Sequence, residues 1–194
     1  MEALKAVLLL SGGIDSPVAG WLMKQRGLDI IPIHFANYPF TEKEPEEKAR
    51  KVAHLLGFSG LMVKDLGSEF ARIAKLCNHR YYFVLSKRLM MREAEKITKE
   101  LSCRFIITGE NLGQVSSQTL RNLTVIDKAV AMPVLRPLLT YEKQEIIDLA
   151  KKIGPYNISS GREHCDALGP RHPATAVKEE IILSEEKKLA PAID

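Results

Sequence analysis

Six consecutive residues, Ser11-Gly12-Gly13-Ile14-Asp15-Ser16, put hydroxyls, unhindered backbone amides and one carboxylate into a single turn. Glycine lets the backbone approach a ligand closely, and amides gathered at the start of a helix attract anions. The set suits phosphate. Asp15 would repel that ligand unless a cation lay between them, so it points to a divalent metal or to phosphate organisation. A second reactive position is Cys165, next to His164 and close in sequence to Arg162, Arg171 and His172. Cationic neighbours favour thiolate, a strong nucleophile. Buried structural cysteine is the ordinary alternative, yet a loop of Gly, His, Arg and Pro makes a poor core.

The elements around the turn fit such a role. Ala6-Val7-Leu8-Leu9-Leu10 is short and apolar enough for a strand buried on both faces. Ser16 and Pro17 read as N-cap and first residue of a helix that Gly27 closes. Ile30–Phe35 predicts a second strand, with Pro32 suggesting an edge or irregular end. Thr41 and Glu44 have capping-box spacing before a helix over 46–56, and Leu61–Leu66 predicts a third strand, after which Ser68 caps another helix. Residues 81–101 predict one long helix or two with a bend, and 103–108 a strand ending in Gly109. Val125-Ile126 and Val134-Leu135 read as short extended pieces. Thr140 caps a helix through Lys152, 157–173 is loop, and 174–188 a final amphipathic helix.

Alternating strands and helices imply a mainly parallel sheet with helices on both faces, a Rossmann-like α/β architecture with a C-terminal helical and loop extension. Ligands of such sheets bind beyond the strand C-terminal ends, at the switch in strand order. Ser11, His34 and Gly109 stand at those ends.

The 194 residues, 45% hydrophobic, suffice for one domain over 1–194 that buries about 70% of its unfolded surface. No apolar run approaches the roughly 18 residues of a membrane span, and Met1-Glu2-Ala3-Leu4-Lys5 leads into the first strand without a signal peptide. Three scattered cysteines make no disulfide framework, so a reducing cytoplasm is the expected compartment. The net charge of +4 permits a nucleic-acid partner without demanding one. Arg80, Lys87, Arg88, Arg92, Lys96 and Lys99 crowd one segment, but Glu93, Glu95 and Glu100 dilute it. A solvated helix face explains it as well as an RNA track.

The turn is neither the Gly-Lys-Ser/Thr phosphate loop nor the Gly-x-Gly-x-x-Gly fingerprint. It matches Ser-Gly-Gly-x-Asp-Ser, the pyrophosphatase loop of the PP-loop ATP pyrophosphatases. Three blocks, Ser11–Gly20, Thr108-Gly-Glu-Asn-Leu-Gly-Gln-Val-Ser-Ser-Gln-Thr-Leu120 and Arg136-Pro-Leu-Leu-Thr-Tyr-Glu-Lys-Gln-Glu-Ile-Ile147, together with the loop around Cys165, resemble the catalytic domain of tRNA 4-thiouridine synthases. The resemblance implies ATP held by Leu9, Leu10, Ser11, Gly12, Gly13, Asp15 and Ser16, by His34 and Phe35, and by Lys87, Gly109 and Gln118. It implies an essential phosphate-contacting lysine at Lys143 and a persulfide-resolving cysteine at Cys165, and beside ATP the carboxylate of Asp15 is expected to serve Mg²⁺ or phosphate organisation.

The chemistry explains these residue types. A uracil carbonyl oxygen leaves poorly, so ATP adenylylates it and releases pyrophosphate, and sulfur then displaces AMP. Phosphate charge builds in the first step, and Mg²⁺ and backbone amides stabilise it.

Family members usually carry a ferredoxin-like segment and a THUMP domain first, and many end in a rhodanese domain with the persulfide cysteine. This chain starts at the first catalytic strand, so a separate THUMP-type RNA-binding protein and a persulfide donor protein are the expected partners of the tRNA reaction, or else the substrate differs. Phe83 and Ser86 stand where some relatives have a Cys-x-x-Cys, so no iron–sulfur cluster is expected. Cys77 and Cys103 are alternative partners for Cys165, with small core residues as their ordinary reading. Two rival functions stay open: adenylylation of another acceptor, and a non-catalytic ATP-binding subunit. A homodimer is also left open.

Overall fold

The computed structural model describes residues 4–113, 118–160 and 168–189. Five parallel strands form one sheet: β1 (Lys5–Leu9), β2 (Asp29–Ala36), β3 (Met62–Asp65), β4 (Phe105–Ile107) and β5 (Val134–Leu135), in the order β3-β2-β1-β4-β5. The chain builds outward from β1 through β2 to β3, then returns to the other side of β1 for β4. The switch in strand order therefore falls between β1 and β4, where a crevice opens at the strand C-terminal ends.

Strand β1 explains why the sheet needs two covers. Leu8 pairs with Pro32 on one side and Ile107 on the other, and Ala6, Val7 and Leu8 are fully buried. Successive residues face opposite ways. Ala6, Leu8 and Leu10 pack with Val18 and Ala19 of α1 (Asp15–Gln25), Ala49 and Val52 of α2 (Glu44–Leu55), and Ile146 and Ala150 of α6 (Lys143–Ile153). Val7 and Ile33 face Ile97 of α4 (Tyr82–Glu100) and Cys103. That side is completed by α3 (Gly67–Leu76), α5 (Leu120–Asp127) and the terminal α8 (Glu179–Lys187), through Phe70, Leu123 and Ile182. A one-turn helix, α7 (Tyr156–Ser159), contacts α2 and α6. Pro32 is internal to the sheet, contrary to the edge expectation. It is tolerated because the β2–β3 ladder begins one residue later, at Ile33 opposite Met62.

Segment 81–101 is one helix, α4, as the first of the two options had it. Several local expectations are overturned. Ser16 does not cap α1: Ile14 holds that position, Pro17 is the third helical residue, and the Ser16 hydroxyl turns back onto Ser11. Thr41 donates its hydroxyl to the Asn37 carbonyl, and Lys43 precedes α2 without a side-chain cap. Leu66, not Ser68, is the N-cap of α3. Val125-Ile126 lies in α5, where Thr119 is the N-cap, accepting from the Asn122 N–H, and both apolar residues face the core. A short apolar pair has the same appearance in a strand and on a helix face. Helix α6 starts at a Glu142/Glu145 capping box instead of Thr140, and Gly154 ends it with φ of 99°. The final helix starts at Glu179, five residues after Ala174, and Asn157 to Ser159 belong to α7 rather than to a loop.

The crevice exists because Gly109 has no side chain. A Cβ there would lie 2.5 Å from the backbone nitrogen of Ser16 and 2.8 Å from the carbonyl carbon of Asp15. Main-chain atoms cannot rotate aside, so β4 and the first turn of α1 would have to separate. Gly109→Ala is expected to cost about 3 kcal/mol, at the upper end for overpacking, read as a lower urea midpoint. An unchanged midpoint would show that the two backbones are not in contact.

Candidate functional site

The crevice is a cavity of about 430 Å³ lined by the Ser11–Ser16 turn, the end of β2, and residues of α3, α4 and α5. Its turn is ordered by its own hydroxyls. The Ser11 N–H donates to Ser16 Oγ at 2.9 Å, the two hydroxyls are 3.0 Å apart, and the Gly13 N–H donates to Ser11 Oγ at 3.2 Å. Ser16 thereby shapes the turn instead of capping the helix. Asp15 begins α1, placing the carboxylate where the helix dipole stabilises negative charge.

The expected site residues largely converge. Leu9, Ser11, Gly12, Gly13, Asp15, Ser16, His34, Phe35, Lys87, Gly109 and Gln118 all line the cavity. Leu10 does not. Its side chain is buried in the α1/α2 core, while its carbonyl faces His34 Nδ1 at 3.0 Å. Burial holds the His34 pKa below its ordinary value against the opposing pull of the Leu10 carbonyl, so the ring is neutral at pH 7. Gln118 is held through its Oε1, which accepts the Asn111 N–H at 3.0 Å. Cys165 lies outside the described residues, with Arg162 and His164.

Lys143 reaches the site from far along the chain. It is the first residue of α6, and its Nζ lies 2.7 Å from Asp15 Oδ1. A cation at a helix N-terminus opposes the dipole; the adjoining Glu142 and Glu145 carboxylates and Asp15 offset it. Asn111 sets where that helix starts. Almost fully buried, its side-chain amide donates to the carbonyls of Leu138 and Tyr141, tying the approach to α6 to the end of β4.

A buried charge cluster was not read from the sequence. Glu110 is 5% exposed and meets Lys87 Nζ at 2.6 Å, Arg136 Nε at 2.7 Å and Thr108 Oγ1 at 3.1 Å. Arg136 also donates to Asp127, at 3.0 Å through Nη1. Burial alone would raise the Glu110 pKa, but Lys87 and Arg136 hold it down at about 2. The available signal was a carboxylate directly after a strand-end glycine, with an arginine at the end of the next strand. Lys48 and Ser159, from α2 and α7, also line the cavity. Phe35, Phe70, Met90, Met91 and Ile126 supply apolar wall suited to a flat heterocycle.

The basic segment is largely self-paired. Arg88, 3% exposed, binds Glu186 and the Val125 carbonyl; Arg92 also binds Glu186, Lys96 binds Glu93, and Lys99 binds Glu95. The Arg88 and Arg92 contacts hold α4 against α5 and α8, whereas the two lysine pairs lie within α4. Cys77 and Cys103 are buried, and burial pushes both thiols up, as for small core residues. Among the described residues no group of three metal-ligating side chains occurs, and no helix is long and apolar enough to cross a membrane.

Residues 2–190 match the family model "Thiamine biosynthesis protein (ThiI)". The chain belongs to this family. It is 44% identical over 191 residues to a probable tRNA sulfurtransferase of Alkaliphilus oremlandii (strain OhILAs), covering 95% of this chain and 49% of that one. A probable tRNA sulfurtransferase of Coxiella burnetii (strain RSA 493 / Nine Mile phase I) is 42% identical over 192 residues, again covering 95% and 49%. A 4-thiouridine synthetase solved as an RNA complex with bound ATP superposes with a TM-score of 0.89 at 41% identity, covering 95% of this chain and 50% of that one. The chain thus spans about half the length of the curated relatives it matches. The NMN synthetase of Francisella tularensis shares the fold alone, with a TM-score of 0.65 at 18% identity over 98% of this chain and 80% of that one.

Glu110 should make stability depend on acid. Its folded pKa lies below the ordinary carboxylate value, so its contribution is fully present above about pH 4.5 and falls as the pH drops towards 2. The difference in urea midpoint between wild type and Glu110→Gln is therefore expected to be constant from pH 8 to 5 and to shrink below pH 4. A difference that grows on acidification would contradict the pairing.

Proposed function

We propose that this chain is the catalytic unit of an ATP-dependent tRNA uridine sulfurtransferase that produces 4-thiouridine. The observation that carries the reading is the pairing of Asp15 with Lys143, 2.7 Å apart across 128 residues, at the N-terminal turn of α1. A carboxylate and an ammonium at a ring of backbone amides suit a polyphosphate whose α-phosphorus is attacked. Family membership and the likeness to a 4-thiouridine synthetase carrying ATP support the same assignment.

The turn Ser11–Ser16 takes the departing pyrophosphate on its amides and hydroxyls. His34, Phe35, Gly109, Gln118 and the carbonyl of Leu10, with Leu9, hold the rest of the nucleotide. Lys143 and Lys87 neutralise developing phosphate charge as point charges. Asp15 fits Mg²⁺, because that ion takes one or two carboxylates plus phosphate oxygens and water, and needs no protein cage. Bound there, it would offset charge on the phosphates.

The uracil O4 attacks the α-phosphorus of ATP, the bond to pyrophosphate breaks, and O4 becomes part of an AMP leaving group. The terminal sulfur of a persulfide on a donor protein then attacks C4 and expels AMP. The Cys165 thiolate attacks the remaining donor sulfur, forming a disulfide and releasing the thiocarbonyl, and an external thiol reduces that disulfide. The tRNA is presented by a THUMP-type RNA-binding unit, and the setting is the cytoplasm.

Incubation with ATP, Mg²⁺, a sulfide source and unmodified tRNA, with and without a THUMP-type protein, should yield AMP and a thiolated nucleoside. Asp15→Ala is expected to reduce AMP formation by about 10² or more. With a persulfide-loaded donor protein in place of sulfide, Cys165→Ser should retain AMP formation and lose thiolation; full thiolation from that donor would remove the role given to Cys165. AMP formed only with another acceptor would replace tRNA as substrate, and ATP bound but never cleaved would make the chain a binding subunit.

A further inference from the structure

One charged group on the cavity wall has no part in the chemistry above. Glu110 adjoins Gly109, is almost fully buried, and faces the same cavity as Lys87. An ionised carboxylate at such a depth is costly unless both oxygens are satisfied. They are satisfied separately. Oε2 accepts from Arg136 Nε at 2.7 Å and from Thr108 Oγ1 at 3.1 Å. Oε1 accepts from Lys87 Nζ at 2.6 Å. Arg136, its side chain 9% exposed, is itself anchored by Asp127.

Asp127, Arg136, Glu110 and Lys87 thus form a line of alternating charge that starts at α5 and ends at the cavity. The arginine end is rigid. Lysine by contrast is a compact point charge on a flexible four-carbon stem, without the pre-organised planar fork of arginine. Engaging one ammonium proton with Glu110 restrains that stem and leaves the other donors for a ligand. Arg136 and Thr108 occupy Oε2 alone, so the partner that Oε1 needs comes from the cavity side, and it is the cavity-lining lysine.

We infer that Glu110 is a positioning residue, which holds the Lys87 ammonium on the cavity wall in the orientation that contacts the nucleotide. The inference rests on the adenylylation reading for the identity of the ligand, though not for the anchoring of Lys87. Removing the carboxylate leaves Lys87 and Arg136 as like charges without their shared partner. The ammonium then moves out, and nucleotide binding loses the contact.

The test is Glu110→Gln, Lys87→Met and the double variant of the full chain. ATP affinity by calorimetry is expected to fall about tenfold in each single variant, and about tenfold, not hundredfold, in the double, because the two act as one unit. Without nucleotide, labelling of Lys87 by an amine-acylating reagent, read by peptide mass spectrometry, should rise about tenfold in Glu110→Gln while Lys24 labelling stays constant. A purely structural Glu110 would lower the melting temperature and change neither ratio. Unaltered Lys87 labelling, wild-type affinity in Glu110→Gln, or multiplicative losses in the double variant would each overturn the inference. Wild-type protein that binds no ATP, with Lys87 labelling still raised in Glu110→Gln, would remove the nucleotide reading and uphold the anchoring. Should Glu110→Gln fail to fold, Glu110→Asp, charged but one methylene shorter, gives the same readouts.

Discussion

Everything at the crevice depends on two stretches of main chain lying closer than any side chain would allow. Gly109 ends β4 against the Asp15–Ser16 backbone, with room for a hydrogen and nothing larger. That contact puts the start of α1, with its amides and partial positive charge, beside the end of β4, and so beside Glu110 and Asn111. A glycine at 109 would be expected from ligand approach alone. Here the approach that forbids a Cβ is internal, and the site is a consequence of it.

The charges obey a second constraint. A cavity that carries charged side chains inside an α/β core must compensate every buried ion. Glu110 is matched by Lys87 and Arg136, Arg136 also by Asp127, and Asp15 by Lys143. The more deeply buried members are tied to strand ends and α5. Asp15 and Lys143 stand apart from that cluster as an accessible pair, with side chains 23% and 44% exposed, and under the proposed reaction they are the pair that meets the polyphosphate. The apolar walls from α3, α4 and α5 lower the dielectric around both groups and strengthen what they do.

Much of this was legible along the chain. The Ser11–Ser16 turn, the strand-end positions of His34 and Gly109, and the helix bearing Lys143 all follow from local pattern, because strand, glycine turn and helix each leave a short-range signature. Caps were less legible. Ser16 has the right type for an N-cap and is used to fold the turn onto Ser11; Thr140 has the right type and yields to Glu142 and Glu145. A hydroxyl can satisfy several nearby amides equally well, and only the completed backbone path selects one. Val125-Ile126 failed for a related reason, since two apolar residues carry no period.

Sequence by itself determined the α/β class, the Ser11–Ser16 turn and the family, since these rest on contiguous residues whose spacing is their physics. Tertiary structure alone decided which charges meet. That Lys143 closes on Asp15, that Asn111 sets the start of α6, and that Glu110 divides its two oxygens between Lys87 and Arg136 are contacts between segments tens of residues apart. The parallel crossovers and the missing Cβ of Gly109 bring them within hydrogen-bond range, and no local pattern encodes that distance.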